Sequence, residues 1–244
     1  MKDFKTFTTL FEQYAYTKNY STALSELLDY FLLAFKFDET GAAKHEAILH
    51  LSSHPQKALL VLLFNEIGTL SEGFKDPIGM LFEQCISKGQ KGQFFTPDPL
   101  ASLMAVCVGN DDLKDGQSVY DPACGSGRML LAAAKINRHL RFYGADIDPL
   151  CCKISLVNML LNSLTGEVTH MNSLTNEFYT GFKTGSVLRN GYYYPYYKEF
   201  TDPHESYMWL RPVEKPKKAS FEEPFEPTKS PLMRDGIQGN LFDQ

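Results

Sequence analysis

The chain has 244 residues, 43% of them hydrophobic, and a formal net charge of −5. This composition supports a packed core, and the acidic balance argues against strong unaided DNA binding, because phosphate contacts require clustered cations. The five cysteines form no Cys-x-x-Cys pair and have no histidines at ligand spacing, so we expect neither a disulfide framework nor a metal site. The N-terminus has no charged-then-apolar signal and the apolar runs are short, so we expect a cytoplasmic protein without membrane contact.

Residues 1–90 are predicted to form a helical N-terminal segment. Ser21 is a candidate N-cap for a helix whose apolar residues recur at helical spacing. The same spacing predicts a second helix over 56–71. Asp76-Pro77 predicts the start of a third, short helix, because proline is tolerated in the first helical turn.

Strands and helices are predicted to alternate between residues 91 and 200. The pattern indicates strands near 118–121, 141–146 and 167–171 and helices near 99–108, 127–138 and 149–163. Strands that alternate with helices form a parallel sheet with flanking helices, so the predicted fold class is α/β. Seven of the thirteen prolines lie beyond residue 189, where no period persists. Residues 201–244 are therefore predicted to be an extended or disordered tail.

A glycine-containing stretch, Asp121-Pro122-Ala123-Cys124-Gly125-Ser126-Gly127, lies between a predicted strand and an apolar helix. Glycines in this place let the backbone turn tightly and come close to a ligand. A second acid, Asp146, ends the next predicted strand. This is the separation at which a Rossmann-like unit places a carboxylate on ribose hydroxyls. The spacing therefore predicts a site for a nucleoside-containing cofactor.

The motifs resemble those of the N6-adenine DNA methyltransferases, and above all the modification subunit of type I restriction systems. The resemblance covers residues 70–175 and is carried by Asp76-Pro77-Ile78-Gly79-Met80-Leu81-Phe82-Glu83, Gly92-Gln93-Phe94-Phe95-Thr96-Pro97, the stretch 121–127 and Gly144-Ala145-Asp146-Ile147-Asp148-Pro149. It implies a Rossmann-like methyltransferase fold with S-adenosylmethionine as the cofactor. It also implies DNA as a partner, reached directly or through a partner subunit.

The resemblance also implies a role for each residue of the cofactor site. Asp121 would bind the amino group of the methionine moiety, and backbone amides from Ala123 to Gly127 would meet its carboxylate at the helix N-terminus. Asp146 would accept hydrogen bonds from the ribose hydroxyls, and Ile147 would pack on the adenine. The complete set of implied cofactor-binding residues is Phe95, Thr96, Pro97, Asp121, Pro122, Ala123, Gly125, Gly127, Asp146, Ile147, Asn172 and Ser173.

The other residues of this set have implied roles at the two ends of the cofactor. For several residues of the set, a purely structural role is the alternative interpretation. Asn172-Ser173 would read the amino edge of the adenine, or form an ordinary turn. Phe95, Thr96 and Pro97 would close over the methionine end, with Phe95 alternatively a core residue. Asp121 could merely cap the glycine turn, and Asp146 could be a surface acid.

A fourth motif of the family, Asn/Asp-Pro-Pro-Tyr/Phe, is not found. Its side-chain and backbone acceptors hold the adenine amine, and its aromatic ring stacks on the flipped base. The sequence has no Pro-Pro dipeptide, and where the motif belongs it has Tyr194-Pro195-Tyr196 without a neighbouring carboxamide. Asn190 is a weak candidate for the missing acceptor because Asn190-Gly191 is a turn signal. We therefore assign no catalytic residue.

Three hypotheses follow for the function. The first is a cofactor-binding protein that is catalytically incomplete alone, as an accessory or regulatory subunit or as half of a split enzyme. The second is an active adenine-N6 DNA methyltransferase with an unrecognised replacement loop. The third is an adaptor that docks on a sliding clamp through Gln238, Leu241 and Phe242, which fit a loose clamp-binding pattern. A monomer or heteromer is expected, because no coiled-coil heptad is present.

Overall fold

The computed structural model describes residues 2–37, 42–87, 96–109 and 114–212. The chain divides into two units, Met1–Arg211 and Pro212–Gln244, and the described residues of the first unit are compact. Of the second unit only Pro212 is described, so the clamp-binding prediction and most of the predicted tail lie outside the described residues.

The described part of the N-terminal segment is helical, as predicted. Its helices are α1 (Lys2–Tyr14), α2 (Tyr20–Leu33), α3 (Ala42–Ser53), α4 (Lys57–Leu70) and α5 (Pro77–Phe82), followed by a π-helical turn over Glu83–Ser87. The predicted cap of α2 is wrong by two positions. Asn19 is the N-cap, since it has extended backbone angles and its side chain accepts a hydrogen bond of 2.8 Å from the Ser21 amide.

The α/β part begins with α6 (Asp98–Gly109), β1 (Ser118–Asp121) and α7 (Arg128–Ile136). It continues with β2 (Arg141–Asp146), α8 (Pro149–Leu161) and β3 (Thr165–Asn172). The first three strands are adjacent and parallel, in the order β1-β2-β3, which confirms the predicted parallel sheet for this part. Within the described residues, β1 pairs with β2 on one side and with no strand on the other.

Two further strands, beyond the three that were predicted, add an antiparallel part to the parallel sheet and make it mixed. β4 (Glu177–Arg189) and β5 (Tyr192–Phe200) form a hairpin, and β4 pairs antiparallel with β3. The hairpin turn is Asn190-Gly191, whose φ angles of 51° and 81° are typical of a two-residue turn. The prediction that no strand period persists beyond residue 189 is therefore wrong for β5.

The helical segment and the sheet share one hydrophobic core. Fully buried side chains of this core come from both parts of the chain: Phe7, Phe11, Leu27 and Leu63 from the helical segment and Phe142, Ile154, Leu156 and Val168 from the α/β part. Helix α8 contacts α2 as well as β2, β3, β4 and β5, and so joins the two parts. This packing places α5 beside the turn that follows β1. No helix in the described ranges has both the length and the apolar character needed to cross a membrane.

Candidate functional site

Three polar residues end the parallel strands at one edge of the sheet. Asp121 is the last residue of β1, Asp146 the last of β2 and Asn172 the last of β3. Because these strands are parallel neighbours, their carboxyl ends meet at this edge. Ligands of open α/β sheets bind just outside the carboxyl ends of the strands. The structure therefore brings the two predicted acids together where a ligand would lie.

The turn after β1 has the backbone geometry that its glycines predict. Gly125 and Gly127 have φ angles of 53° and 81°, in the region that favours glycine. The Gly125 amide donates a hydrogen bond of 2.8 Å to Oδ2 of Asp146, across the two strand ends. A Cβ on Gly127 would lie 2.6 Å from Oγ of Ser155, so glycine also permits the close approach of α8.

The carboxyl group of Asp121 is half-buried and has an environment that disfavours its charge. Burial raises its pKa, the hydrogen bond of 3.1 Å from the Ala123 amide opposes that rise, and the nearby Asp146 carboxylate adds to it. A bound cation would stabilise the charged form and relieve this penalty. The position therefore suits a positively charged amino group.

The carboxylate of Asp146 is held in place by backbone amides. Its Oδ2 accepts from Gly125, and its Oδ1 accepts from the Asp148 amide at 2.9 Å. Each carboxylate oxygen has a further lone pair, so Asp146 can still accept hydrogen bonds from a diol. The next side chain, Ile147, is 59% exposed and offers an apolar surface beside that acceptor. Acceptor and apolar surface together fit a ribose and its base.

Side-chain hydrogen bonds stabilise the turn that follows β3. Oδ1 of Asn172 accepts from the amides of Leu174 and Thr175, at 3.1 and 3.2 Å. The Ser173 hydroxyl donates a hydrogen bond of 2.7 Å to the Pro122 carbonyl, which ties β3 to the turn after β1. The implied role of Asn172 and Ser173 in reading a base stays a prediction.

The segment before α6 lies next to the glycine turn. The Thr96 carbonyl accepts a hydrogen bond of 3.0 Å from Nη1 of Arg128, the residue that directly follows Gly127. The Pro97 carbonyl accepts from the Ala101 amide at 2.9 Å and so begins the helical bonding of α6. Thr96 therefore contacts the first turn of α7, and the implied role of Thr96 and Pro97 at the methionine end of the cofactor stays a prediction. Phe95 lies outside the described residues.

A buried polar network beneath the glycine turn was not predicted from the sequence. It joins the side chains of Asp76, Ser126, Arg128 and Asn158, which are separated by as many as 82 residues along the chain. Two local signals were available. An arginine in the first turn of a helix opposes the helix dipole, and an asparagine in the apolar run of α8 requires a buried partner.

The tip of the β4-β5 hairpin lies at the opposite end of the sheet from the candidate site. Glu177 of β4 pairs with Asn172 at the carboxyl end, and Thr184 pairs with Gly166 near the amino end. β4 continues beyond that point to Arg189. The next residue, Asn190, is roughly 40 Å along the chain direction from Glu177 at about 3.3 Å per residue. Asn190 is therefore too far from the strand ends to supply the missing acceptor there.

The tyrosines of the hairpin divide between packing and exposure. Tyr197 is buried and meets Phe182 edge to face, and the Tyr196 ring lies 4.8 Å from that of Phe37. Tyr192 and Tyr193 are exposed near the tip of the hairpin. Their position at the tip separates them from the candidate cofactor site.

The family comparison matches more than half of the chain. The model of the family described as N-6 DNA Methylase matches residues 75–221. This range includes α5, the segment before α6, the glycine turn and all five strands.

Curated proteins with similar sequences are methylases of two kinds. The chain is 30% identical over 145 residues to the type I restriction enzyme MjaIX methylase subunit of Methanocaldococcus jannaschii, covering 52% of this chain and 25% of that protein. It is 37% identical over 68 residues to the ribosomal protein L11 methyltransferase of Caldanaerobacter subterraneus, covering 28% and 22%. The matched region thus spans about a quarter of the length of these relatives.

One solved structure that this chain matches in part is the type I restriction-modification system methyltransferase subunit from Streptococcus thermophilus. It is 24% identical, with a TM-score of 0.33 over 46% of this chain and 27% of that one.

Proposed function

Because the chain belongs to the N-6 DNA methylase family, we propose that it binds S-adenosylmethionine at the carboxyl ends of β1 and β2. We further propose that it is one part of an adenine-N6 DNA methyltransferase and does not methylate DNA alone. It would act as an accessory or regulatory subunit or as half of a split enzyme. The observation that carries the proposal is the convergence of Asp121, the glycine turn and Asp146 at one edge of the sheet.

The chemistry of these groups fits the cofactor. When bound, S-adenosylmethionine supplies a methyl group on a sulfonium centre. Asp121 would hold the amino group, and amides at the start of α7 would hold the carboxylate, because partial positive charge gathers at a helix N-terminus. Asp146 would bind the ribose hydroxyls, and Ile147 would cover one face of the adenine. The two carboxylates would thus stand at opposite ends of the cofactor, with the amide donors beside Asp121 at the amino-acid end.

The relatives support the proposal that this chain binds the methyl donor. Their names describe a restriction enzyme methylase subunit and a ribosomal protein methyltransferase, which share methyl transfer. The part of the chain that resembles both kinds is therefore best assigned to what they share. Binding of DNA, directly or through a partner subunit, follows from the restriction-enzyme relatives and is part of the proposal.

Two observations support catalytic incompleteness. The sequence lacks the Asn/Asp-Pro-Pro-aromatic motif that would hold the adenine amine and stack on the base. In addition, β4 runs antiparallel to β3, so its far end, with Asn190, points away from the candidate cofactor site. Without acceptor and stacking groups at the site, the loss of transition-state stabilisation is expected to be several kcal/mol, or about three or more orders of magnitude in rate.

Two assays test the proposal. The melting temperature should rise with S-adenosylmethionine, since a ligand at 100 times its dissociation constant adds about 2.7 kcal/mol of stability. Incubation with methyl-labelled cofactor and adenine-containing duplex DNA should give no label in the DNA above a protein-free control. Absence of a thermal shift would refute cofactor binding, whereas labelled adenine would refute incompleteness and favour an active enzyme.

A further inference from the structure

Asp76 is a buried carboxylate on which four segments of the chain converge. Its side chain is 1% exposed. Oδ1 accepts from the Gly79 amide at 2.8 Å and from Nδ2 of Asn158 at 2.8 Å. Oδ2 accepts from the Ser126 hydroxyl at 2.5 Å and from Nε of Arg128 at 3.2 Å. Asp76 therefore joins α5, the glycine turn, α7 and α8 at one point.

Arg128 extends this junction to the segment before α6. Its Nη2 lies 3.0 Å from Oε2 of Glu83, and its Nε lies 3.2 Å from Oδ1 of Asp98. Its Nη1 donates to the Thr96 carbonyl at 3.0 Å. The Arg128 side chain is 8% exposed, whereas those of Glu83 and Asp98 are 33% and 46% exposed, so these two carboxylates lie at the edge of the buried network. Burial alone would lower the pKa of Arg128, but the carboxylates of Asp76, Glu83 and Asp98 raise it, and the charge is retained.

The Arg128 guanidinium makes directed contacts that a single point charge could not make. A planar fork with five donors can reach several carboxylates and a carbonyl in fixed directions. In Arg128 it does so from the first residue of α7, immediately after Gly127. The segment Thr96–Asp98 is thus held against the glycine turn by the same side chain that anchors the turn to Asp76.

The segment Thr96–Asp98 lies toward the amino-acid end of the proposed ligand. Asp121 and the amides at the start of α7 face the amino-acid moiety, whereas Asp146 and Ile147 stand at the end of β2 and face the nucleoside. Arg128 directly follows Gly127 and is therefore next to the groups that face the amino-acid moiety. A shift of Thr96–Asp98 would therefore disturb the amino-acid end before the nucleoside end.

We infer that Asp76 and Arg128 are positioning residues that set the affinity for the amino-acid portion of S-adenosylmethionine and leave recognition of its nucleoside largely unaffected. The inference deepens the proposed function and rests on it. Neither side chain needs to touch the ligand. Their effect is transmitted through the Thr96 carbonyl and through Ser126, whose hydroxyl is bound to Asp76.

The test compares two ligands that differ in the amino-acid portion. S-adenosylmethionine has it, whereas 5′-methylthioadenosine keeps the adenosine and the sulfur without it. Dissociation constants are measured by calorimetry for the natural chain and for Arg128→Lys, which keeps the charge and loses the fork. We expect about tenfold weaker binding of S-adenosylmethionine, equivalent to one charge-assisted hydrogen bond, and less than about threefold for 5′-methylthioadenosine.

Two further variants make the result interpretable. Glu83→Gln removes one carboxylate from a partly exposed position and should shift the affinity ratio in the same direction by a smaller factor, even if Arg128→Lys folds poorly. Arg138→Lys is a matched control, because Arg138 also donates to a backbone carbonyl, that of Asn162, at an exposed site. It should leave both affinities unchanged.

The outcomes separate this inference from the proposed function. A selective loss for S-adenosylmethionine supports the positioning role. Equal losses for both ligands, or no loss in either Arg128→Lys or Glu83→Gln, overturn it while cofactor binding stands. If the natural chain binds neither ligand, the proposed function fails, and the positioning role fails with it.

Discussion

The amide of Gly125 donates a hydrogen bond of 2.8 Å to Oδ2 of Asp146, and this bond locks the turn after β1 to the end of β2. The two residues are 21 positions apart in sequence, yet they define the relative position of the proposed amino-acid and ribose sites. A carboxylate at position 146 thus has two tasks, to fix the turn and to receive the ligand.

Because the Asp146 carboxylate fixes the turn, Asp146→Ala should lower the stability of the protein even when no ligand is bound. The substitution removes the acceptor of the Gly125 and Asp148 amides, and the free energy of unfolding should fall by about 1–2 kcal/mol. Urea denaturation checks the value. Asp146→Asn, which keeps one carbonyl oxygen, should lose less than Asp146→Ala. Equal losses would show that these hydrogen bonds do not carry the stability.

Asp121→Asn should stabilise the ligand-free protein at neutral pH while weakening cofactor binding. Because burial raises the pKa of Asp121, the folded state binds its proton more tightly than the unfolded state. The destabilising charge is fully present above the raised pKa, and the penalty shrinks as pH falls toward the ordinary value of an aspartate. The stability advantage of Asp121→Asn should therefore diminish on acidification.

Urea midpoints of both proteins at pH 7 and near pH 4 measure this difference. The exposed acid Glu72 provides a control, since Glu72→Gln should leave stability and ligand affinity unchanged. A stability difference for Asp121→Asn that grows as pH falls would contradict the assignment of a raised pKa.

Gly127→Ala should destabilise the fold for two separable reasons. The left-handed φ of 81° costs about 1–2 kcal/mol for a residue with a Cβ, and that Cβ would lie 2.6 Å from Oγ of Ser155. The double variant Gly127→Ala, Ser155→Ala removes the closest steric contact and should recover part of the loss, leaving the backbone cost. Thermal and urea denaturation of both single variants and the double variant measure the coupling. Complete recovery, or none, would contradict this division.

The hairpin tip should contribute to the stability of the protein but not to its affinity for the cofactor. Asn190→Val places a β-branched residue at a φ of 51° and should cost about 1–2 kcal/mol. The affinity for S-adenosylmethionine should stay the same, because Asn190 lies at the far end of β4 from the strand ends. A change in affinity at temperatures where the variant is fully folded would show that the tip communicates with the site.

Much of the α/β part could be predicted because its signals are local. The apolar runs and the turn residues around Asp121 and Asp146 fix the ends of β1 and β2, and Pro149 fixes the start of α8. The same motifs predicted where the two acids would meet, since parallel neighbours end at the same edge of a sheet.

The hairpin was missed although its signal was present. Asn190-Gly191 between two strand-forming runs is typical of a two-residue hairpin turn. The family resemblance implies an apolar strand followed by a catalytic motif in this region, and the tyrosine-rich run after Gly191 does not fit that pattern. It forms β5 because cross-strand pairing with β4 buries part of its aromatic surface, as at Tyr197.

The network around Asp76 and Arg128 could not be derived from spacing. Apart from the bond between Asp76 and Gly79, the side-chain hydrogen bonds of the network join positions between 32 and 82 residues apart. They depend on how α5 packs against α7 and α8 in the shared core, which no local period encodes. The sequence indicates Asp76 as the start of a helix and as part of a family motif. Its capping bond to Gly79 is one of four hydrogen bonds that its side chain accepts.

Calorimetric titration of S-adenosylmethionine into the purified chain and into Asp146→Ala tests the central claim most directly. We predict one site per chain in the natural protein and no measurable binding in a variant that remains folded by circular dichroism. A natural chain that gives no heat of binding, or a variant that binds with unchanged affinity, would contradict a cofactor site at the ends of β1 and β2.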